Sequence, residues 1–220
     1  MLLSIDMESI DAVIFDMDGV LLDSETISDR TWLTVAEQMG VDNIQALISD
    51  CRGQNAADTI AHLRERCSKL FDAELFIMRT TELFYQIEAT EGIPLMKGAK
   101  AALEYLSKKY RLALASSTDG VAVRRQLERA GLLSYFETRT TGNMVTHSKP
   151  DPEIYRMACA SLGLQAERCC AVEDSPNGIR SAHAAGLLCI MVPDKIQPDD
   201  EIRSLADYII PSLEKIGDVL

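Results

Sequence analysis

The chain has 220 residues, a formal net charge of −12, 47% hydrophobic residues and 25% charged ones. That length can bury a core without disulfides or a structural metal, and the composition excludes disordered, collagen-like and coiled-coil classes. No apolar run approaches the roughly 20 residues of a membrane helix, and an acidic surface repels phosphate backbones and anionic lipid. Neither nucleic acid nor membrane is therefore an expected partner, whereas a small anionic substrate is possible if a local cation holds it. The N-terminal stretch lacks a basic region and a long apolar segment, so no secretory signal is read. The six cysteines (Cys51, Cys67, Cys159, Cys169, Cys170, Cys189) form no C-x-x-C pair, which fits free thiols in a cytoplasmic protein better than a zinc site.

The first element expected is a strand at Ala12–Phe15, a short apolar run of the kind buried on both faces. From residue 24 to 91 no strand is read. Helical spacing there links Trp32, Ala36 and Met39, then Ile60, Leu63 and Cys67, then Phe76, Leu83 and Ile87. This predicts an inserted helical domain over 24–91, with Glu91–Pro94 as its exit. A core domain is expected over 1–23 and 92–220. There, helical faces at Ala99–Tyr110, Val123–Ala130 and Ile154–Ser161 alternate with strands at Leu112–Ala115, Cys170–Val172 and Leu188–Val192. Weaker strands are read near Glu137–Thr141 and Tyr208–Ile210. Gly131 and Gly163 supply helix stops. The alternation predicts an α/β fold: a doubly wound, Rossmann-like parallel sheet carrying an inserted α-helical cap.

Open α/β sheets bind ligands beyond the carboxyl ends of their strands. Asp16 and Asp18 follow the first strand, and Ser116 and Ser117 the second. Lys149 precedes the Ile154 helix, and Glu173 and Asp174 follow the Cys170 strand. Singly, each has a plainer reading: a turn aspartate, a surface lysine, a helix cap. Together they place carboxylates, hydroxyls and one lysine at one edge. Clustered carboxylates without His or Cys favour Mg²⁺, with Asp16 and Asp174 as natural ligands. Asp16 is placed to attack phosphorus as a nucleophile. Lys149 offsets charge on the transferred group, and Ser116, with Ser117 beside it, binds its remaining oxygens. Asp18 protonates the leaving alkoxide and then activates water.

The sequence closely resembles the haloacid dehalogenase superfamily of phosphotransferases over essentially its whole length. FDMDGVLLDSE (15–25), LASSTDG (114–120), SKPDPEIY (148–155) and VEDSPNGIRSAHAAG (172–186) are similar to the family's four motifs, in order. The helical insert resembles the cap of the subgroup holding β-phosphoglucomutase and small sugar-phosphate phosphatases. The resemblance implies Asp16 as nucleophile and Mg²⁺ ligand. It implies Asp18 as general acid and base that also lends its backbone carbonyl to the metal. Asp174 would complete the metal site, with Glu173 acting through water. It implies a monomeric, Mg²⁺-dependent phosphatase of small phosphorylated metabolites, sugar or polyol phosphates, with specificity set in the cap around Arg52, Gly53, Gln54 and Asn55. The alternative is a phosphomutase. Mutases of this subgroup carry a histidine twelve residues after the nucleophile, where this chain has Ser28. They carry an arginine three residues after the cap-loop glycine, here Ala56 if Gly53 is that glycine. A non-catalytic sugar-phosphate sensor is disfavoured by the intact Asp16 and Asp18 pair.

Overall fold

The computed structural model describes residues 9–52, 56–67 and 71–220. The chain divides into a core, made of the described residues up to Asp23 with Pro94–Leu220, and a helical unit, Ser24–Ile93.

The described strands are β1 (Ala12–Phe15), β2 (Arg111–Ser116), β3 (Thr138–Thr141), β4 (Cys169–Glu173), β5 (Leu188–Met191) and β6 (Tyr208–Ile209). The described helices are α1 (Ser24–Met39), α2 (Ile44–Cys51), α3 (Ala56–Arg66), α4 (Ala73–Thr90), α5 (Ala99–Leu106), α6 (Gly120–Arg129), α7 (Glu153–Leu162), α8 (Pro176–Ala185) and α9 (Asp200–Leu205). None is long and apolar enough to cross a membrane.

The core sheet is parallel, in the order β3-β2-β1-β4-β5-β6. β1 lies between β2 and β4 and is buried along its length, which is why it reads as a continuous apolar run rather than an alternation. Its register sets Ile14 beside Ala113 and Ala171, and Phe15 beside Leu114 and Val172. The strands therefore end nearly level, and the residues after them share one edge. Ala113, Ala115 and Ala171 keep one face of the sheet low, and Ile154, Tyr155 and Ala158 of α7 and Ile179 and Ala182 of α8 pack into the same core. Each fully buried Ile or Leu there contributes about 1.5–3 kcal/mol.

In the helical unit Trp32 of α1 meets Phe76 of α4 edge to face, with ring centroids 5.1 Å apart. Val35, Ala36, Leu47 and Leu63 complete that core. Asp72 caps α4 by accepting from the Leu75 backbone N–H. Helix α2 was not expected. With eight residues it is too short to show a full amphipathic period, although Leu47 and Cys51, one turn apart, are its buried positions. The two chain segments that leave and re-enter the core run side by side. Leu22 bridges Leu95, the Asp23 N–H donates to the Pro94 carbonyl at 2.8 Å, and the Met96 N–H donates to the Leu21 carbonyl at 2.9 Å.

Candidate active site

Asp16 follows β1 directly and is 7% exposed. Its backbone N–H donates to the Val172 carbonyl at 3.0 Å, which locks its place beside β4. Lys149 approaches from the loop before α7. Its Nζ donates to Asp16 Oδ1 at 2.6 Å, to Glu173 Oε1 at 2.6 Å and to the Ala115 carbonyl at 3.0 Å. An ammonium has three N–H donors, so this arrangement uses all of them. The loop holding Lys149 is closed by Glu153, whose carboxylate accepts from the backbone N–H groups of Thr146 at 3.0 Å and His147 at 2.8 Å.

Glu173 ends β4 and is fully buried. Its Oε1 also accepts from the Tyr155 hydroxyl at 2.8 Å, and its Oε2 accepts from the Asp174 backbone N–H and the Ser175 hydroxyl, each at 3.2 Å. Room for this carboxyl comes from Gly178, where a Cβ would stand 1.9 Å from Glu173 Cδ. Ser175 caps α8 by accepting from the Gly178 N–H at 3.0 Å.

Two buried carboxylates thus share one ammonium. Burial, opposed by Lys149 and reinforced by the charges of Glu173 and Asp18, raises Asp16 from the usual carboxylate range to about 8. Burial works against the charge on Lys149 as well, but Asp16 and Glu173 together outweigh it and hold the ammonium protonated. Burial and the charge of Glu173 push the Tyr155 phenol well up, so it stays a donor.

Asp16, Glu173 and Asp174 offer carboxylate oxygens that all lie within 4.8 Å of one another. Gly19, at φ +76°, lets the loop after β1 press against Asp174; a Cβ there would stand 2.3 Å from Asp174 Oδ2. This all-oxygen set, with more negative charge than one lysine balances, fits a hard divalent cation such as Mg²⁺. Glu173, bonded through both oxygens, suits an indirect part in holding it.

The Asp18 side chain is engaged elsewhere: its Oδ2 accepts from Thr118 Oγ1 at 2.8 Å. Ser116 is fully buried, and its Oγ accepts from the Thr118 N–H at 3.1 Å. The cap of α6 is Asp119, not Ser116. Ser117 is exposed, with its carbonyl against Gly142, where a Cβ would lie 2.0 Å from that oxygen. The structure therefore brings Asp16, Lys149, Glu173 and Asp174 together directly, and joins Asp18 to Ser116 through Thr118.

In the helical unit, Arg52 donates from Nη1 to Glu25 Oε2 at 3.0 Å and from Nη2 to Asp29 Oδ2 at 2.6 Å. Arg52 and Ser28, both singled out by sequence, line one cleft of about 190 Å³ with Glu25, Asp29 and Trp32. Gly53, Gln54 and Asn55 lie outside the described residues, and Ala56 opens α3.

Thr118 stands beside Ser116 and Ser117 after the second strand, but the sequence assigns no role to it, nor to Tyr155, Glu25 or Asp29. Glu25 and Asp29 carried a signal, since i, i+4 spacing on α1 puts them on one face. Tyr155 carried a weaker one, because a tyrosine on a core helix needs a partner for its hydroxyl.

The chain belongs to the haloacid dehalogenase-like hydrolase family, whose model matches residues 13–192. It is 34% identical over 178 residues to a phosphorylated carbohydrates phosphatase of Thermotoga maritima, covering 80% of this chain and 82% of that protein. It is 31% identical over 219 residues to hexitol phosphatase B of Escherichia coli K12, covering 93% of each. The crystal structure of a candidate β-phosphoglucomutase from Thermotoga maritima superposes with a TM-score of 0.79 at 30% identity, covering 96% of this chain and 100% of that one.

Proposed function

We propose that this hydrolase is a Mg²⁺-dependent phosphatase that releases phosphate from sugar or polyol phosphates through an aspartyl-phosphate on Asp16. The carrying observation is the buried bridge of Lys149 between Asp16 and Glu173, with Asp174 within ligand distance of both carboxylates. Mg²⁺, held by Asp16 and Asp174 with the Asp18 carbonyl and Glu173 in support, supplies Lewis-acid stabilisation of phosphoryl charge when bound.

Asp16 attacks phosphorus as the bond to the sugar oxygen breaks, and Asp18 gives that oxygen a proton. Asp18 then takes a proton from water, which attacks the aspartyl-phosphate and regenerates the Asp16 carboxylate with release of inorganic phosphate. Lys149 meets the phosphoryl group by exchanging one of its three acceptors for a phosphate oxygen. Ser116 supports the loop whose backbone N–H groups and Ser117 bind the others.

The names of the phosphatase relatives support a phosphorylated carbohydrate or hexitol as substrate. The six free cysteines suit a cytoplasmic enzyme, which we take to be monomeric. The test is phosphate release across a panel of hexose, pentose and hexitol phosphates with Mg²⁺, with Asp16→Asn as control. A panel on which the parent enzyme is no faster than that control would overturn the proposal.

The likeness to the candidate β-phosphoglucomutase favours a second reading, intramolecular phosphoryl transfer. Two features of this chain stand against it. Ser28 occupies the position of the mutase histidine, and the guanidinium of Arg52, a cation suited to a second phosphate, is held between Glu25 and Asp29. Incubation with β-glucose 1-phosphate and a trace of the 1,6-bisphosphate separates the two. Free phosphate should dominate, and glucose 6-phosphate appearing much faster would install the mutase reading.

A further inference from the structure

We propose that Thr118 is a positioning residue for Asp18, fixing the orientation in which its carboxyl meets the leaving group. The inference rests on the reading of Asp18 as general acid and base.

Thr118 is held at several points. Its N–H donates to Ser116 Oγ at 3.1 Å, and its carbonyl accepts from the Gly142 N–H at 3.0 Å. The next residue, Asp119, accepts from the Val121 N–H at 2.9 Å and anchors α6. Gly142 makes the close approach possible, since a Cβ there would fall 2.0 Å from the Ser117 carbonyl oxygen. The hydroxyl is therefore a fixed post, and it donates to Asp18 Oδ2 at 2.8 Å across 100 residues of sequence.

The bond fixes where Oδ2 stands and restrains rotation of the carboxyl plane. Held in this way, Asp18 meets the sugar oxygen in one orientation. Its proton passes to that oxygen as the P–O bond breaks and the bond's electron pair stays on the oxygen, and the proton later taken from water restores the acid.

The experiment compares kcat/KM, which reports the first chemical step, for a hexitol phosphate and for p-nitrophenyl phosphate, whose leaving group needs little protonation. Thr118→Val keeps the side-chain shape and removes the donor. It should lower kcat/KM about 10-fold on the hexitol ester and only about 2-fold on the aryl ester. Thr118→Ser, which retains the hydroxyl, should recover most of the loss. In an Asp18→Asn background the Thr118→Val effect should vanish, because the residue acts through Asp18. Equal losses on both esters, additivity with Asp18→Asn, or no rescue by serine would overturn the proposal. If Asp18→Asn is selective for the hexitol ester and Thr118→Val is not, the positioning role alone falls. If Asp18→Asn is itself unselective, the acid–base assignment of Asp18 falls, and this proposal with it.

Discussion

Lys149→Met would leave Asp16 and Glu173 buried without their shared cation. Methionine nearly matches the length of the lysine stem, so the change removes the charge and three hydrogen bonds, two of them at 2.6 Å, and opens little space. Breaking a buried ion pair from one side costs about 3–5 kcal/mol, a large share of the stability of an ordinary domain. The cost should depend on pH. Asp16 has a folded pKa of about 8 against an ordinary value of 3.8. Between these values the folded chain keeps a proton that the unfolded chain has released, so the contribution of Asp16 to stability falls as pH rises. Without Lys149 the carboxyl moves further up and the fall extends to higher pH. Urea denaturation in excess chelator should show a larger deficit near about pH 9.5 than near about pH 5, where Asp16 is protonated in both folded proteins. Saturating Mg²⁺ should return part of it through binding to the folded state. Parent-like stability at the higher pH, or a deficit that grows on acidification, would refute the charge accounting.

Asp16→Asn should abolish phosphate release while leaving the unfolding transition cooperative, because the amide oxygen still accepts from Lys149; measurable turnover above about one-thousandth of the parent rate would remove Asp16 as nucleophile. Excess chelator should stop turnover, Mg²⁺ should restore it, and Ca²⁺ should inhibit through its looser coordination; full activity in chelator would exclude the metal. Gly178→Ala drives a methyl group into the Glu173 carboxyl, so denaturation should show a loss of about 1–3 kcal/mol, with a higher Mg²⁺ requirement in the phosphatase assay. Unchanged values of both would mean that Glu173 does not need its present place.

The strands of the core were legible because burial on both faces leaves uninterrupted apolar runs, and β1 is one along its whole length. Once strands are placed, the residues after them are placed too, which is why Asp16, Ser116, Glu173 and Asp174 could be read as one edge. The partners of Thr118 and Tyr155 were not legible, because they lie 100 and 18 residues away and only the folded core brings them together. The pairing of Arg52 with residues 27 and 23 positions earlier was hidden likewise. Its cationic type drew attention to it, but the carboxylates that claim it belong to another helix. Helix α2 failed for a different reason: eight residues offer too few turns for periodicity to stand above chance.

The side-by-side linkers at Leu21–Asp23 and Pro94–Met96 tie the two ends of the helical unit together by backbone hydrogen bonds that belong to the core. From the sheet's side the whole insertion is therefore one closed loop. Closing a flexible loop becomes costlier only slowly with its length, by about 0.6 kcal/mol for each doubling. The core is thus nearly indifferent to how much chain is spliced in at that point. In evolutionary terms this uncouples two searches. Helices and cleft of the insert are free to be rewritten or lengthened, while the strand register that gathers Asp16, Thr118, Lys149 and Glu173 at one edge is kept.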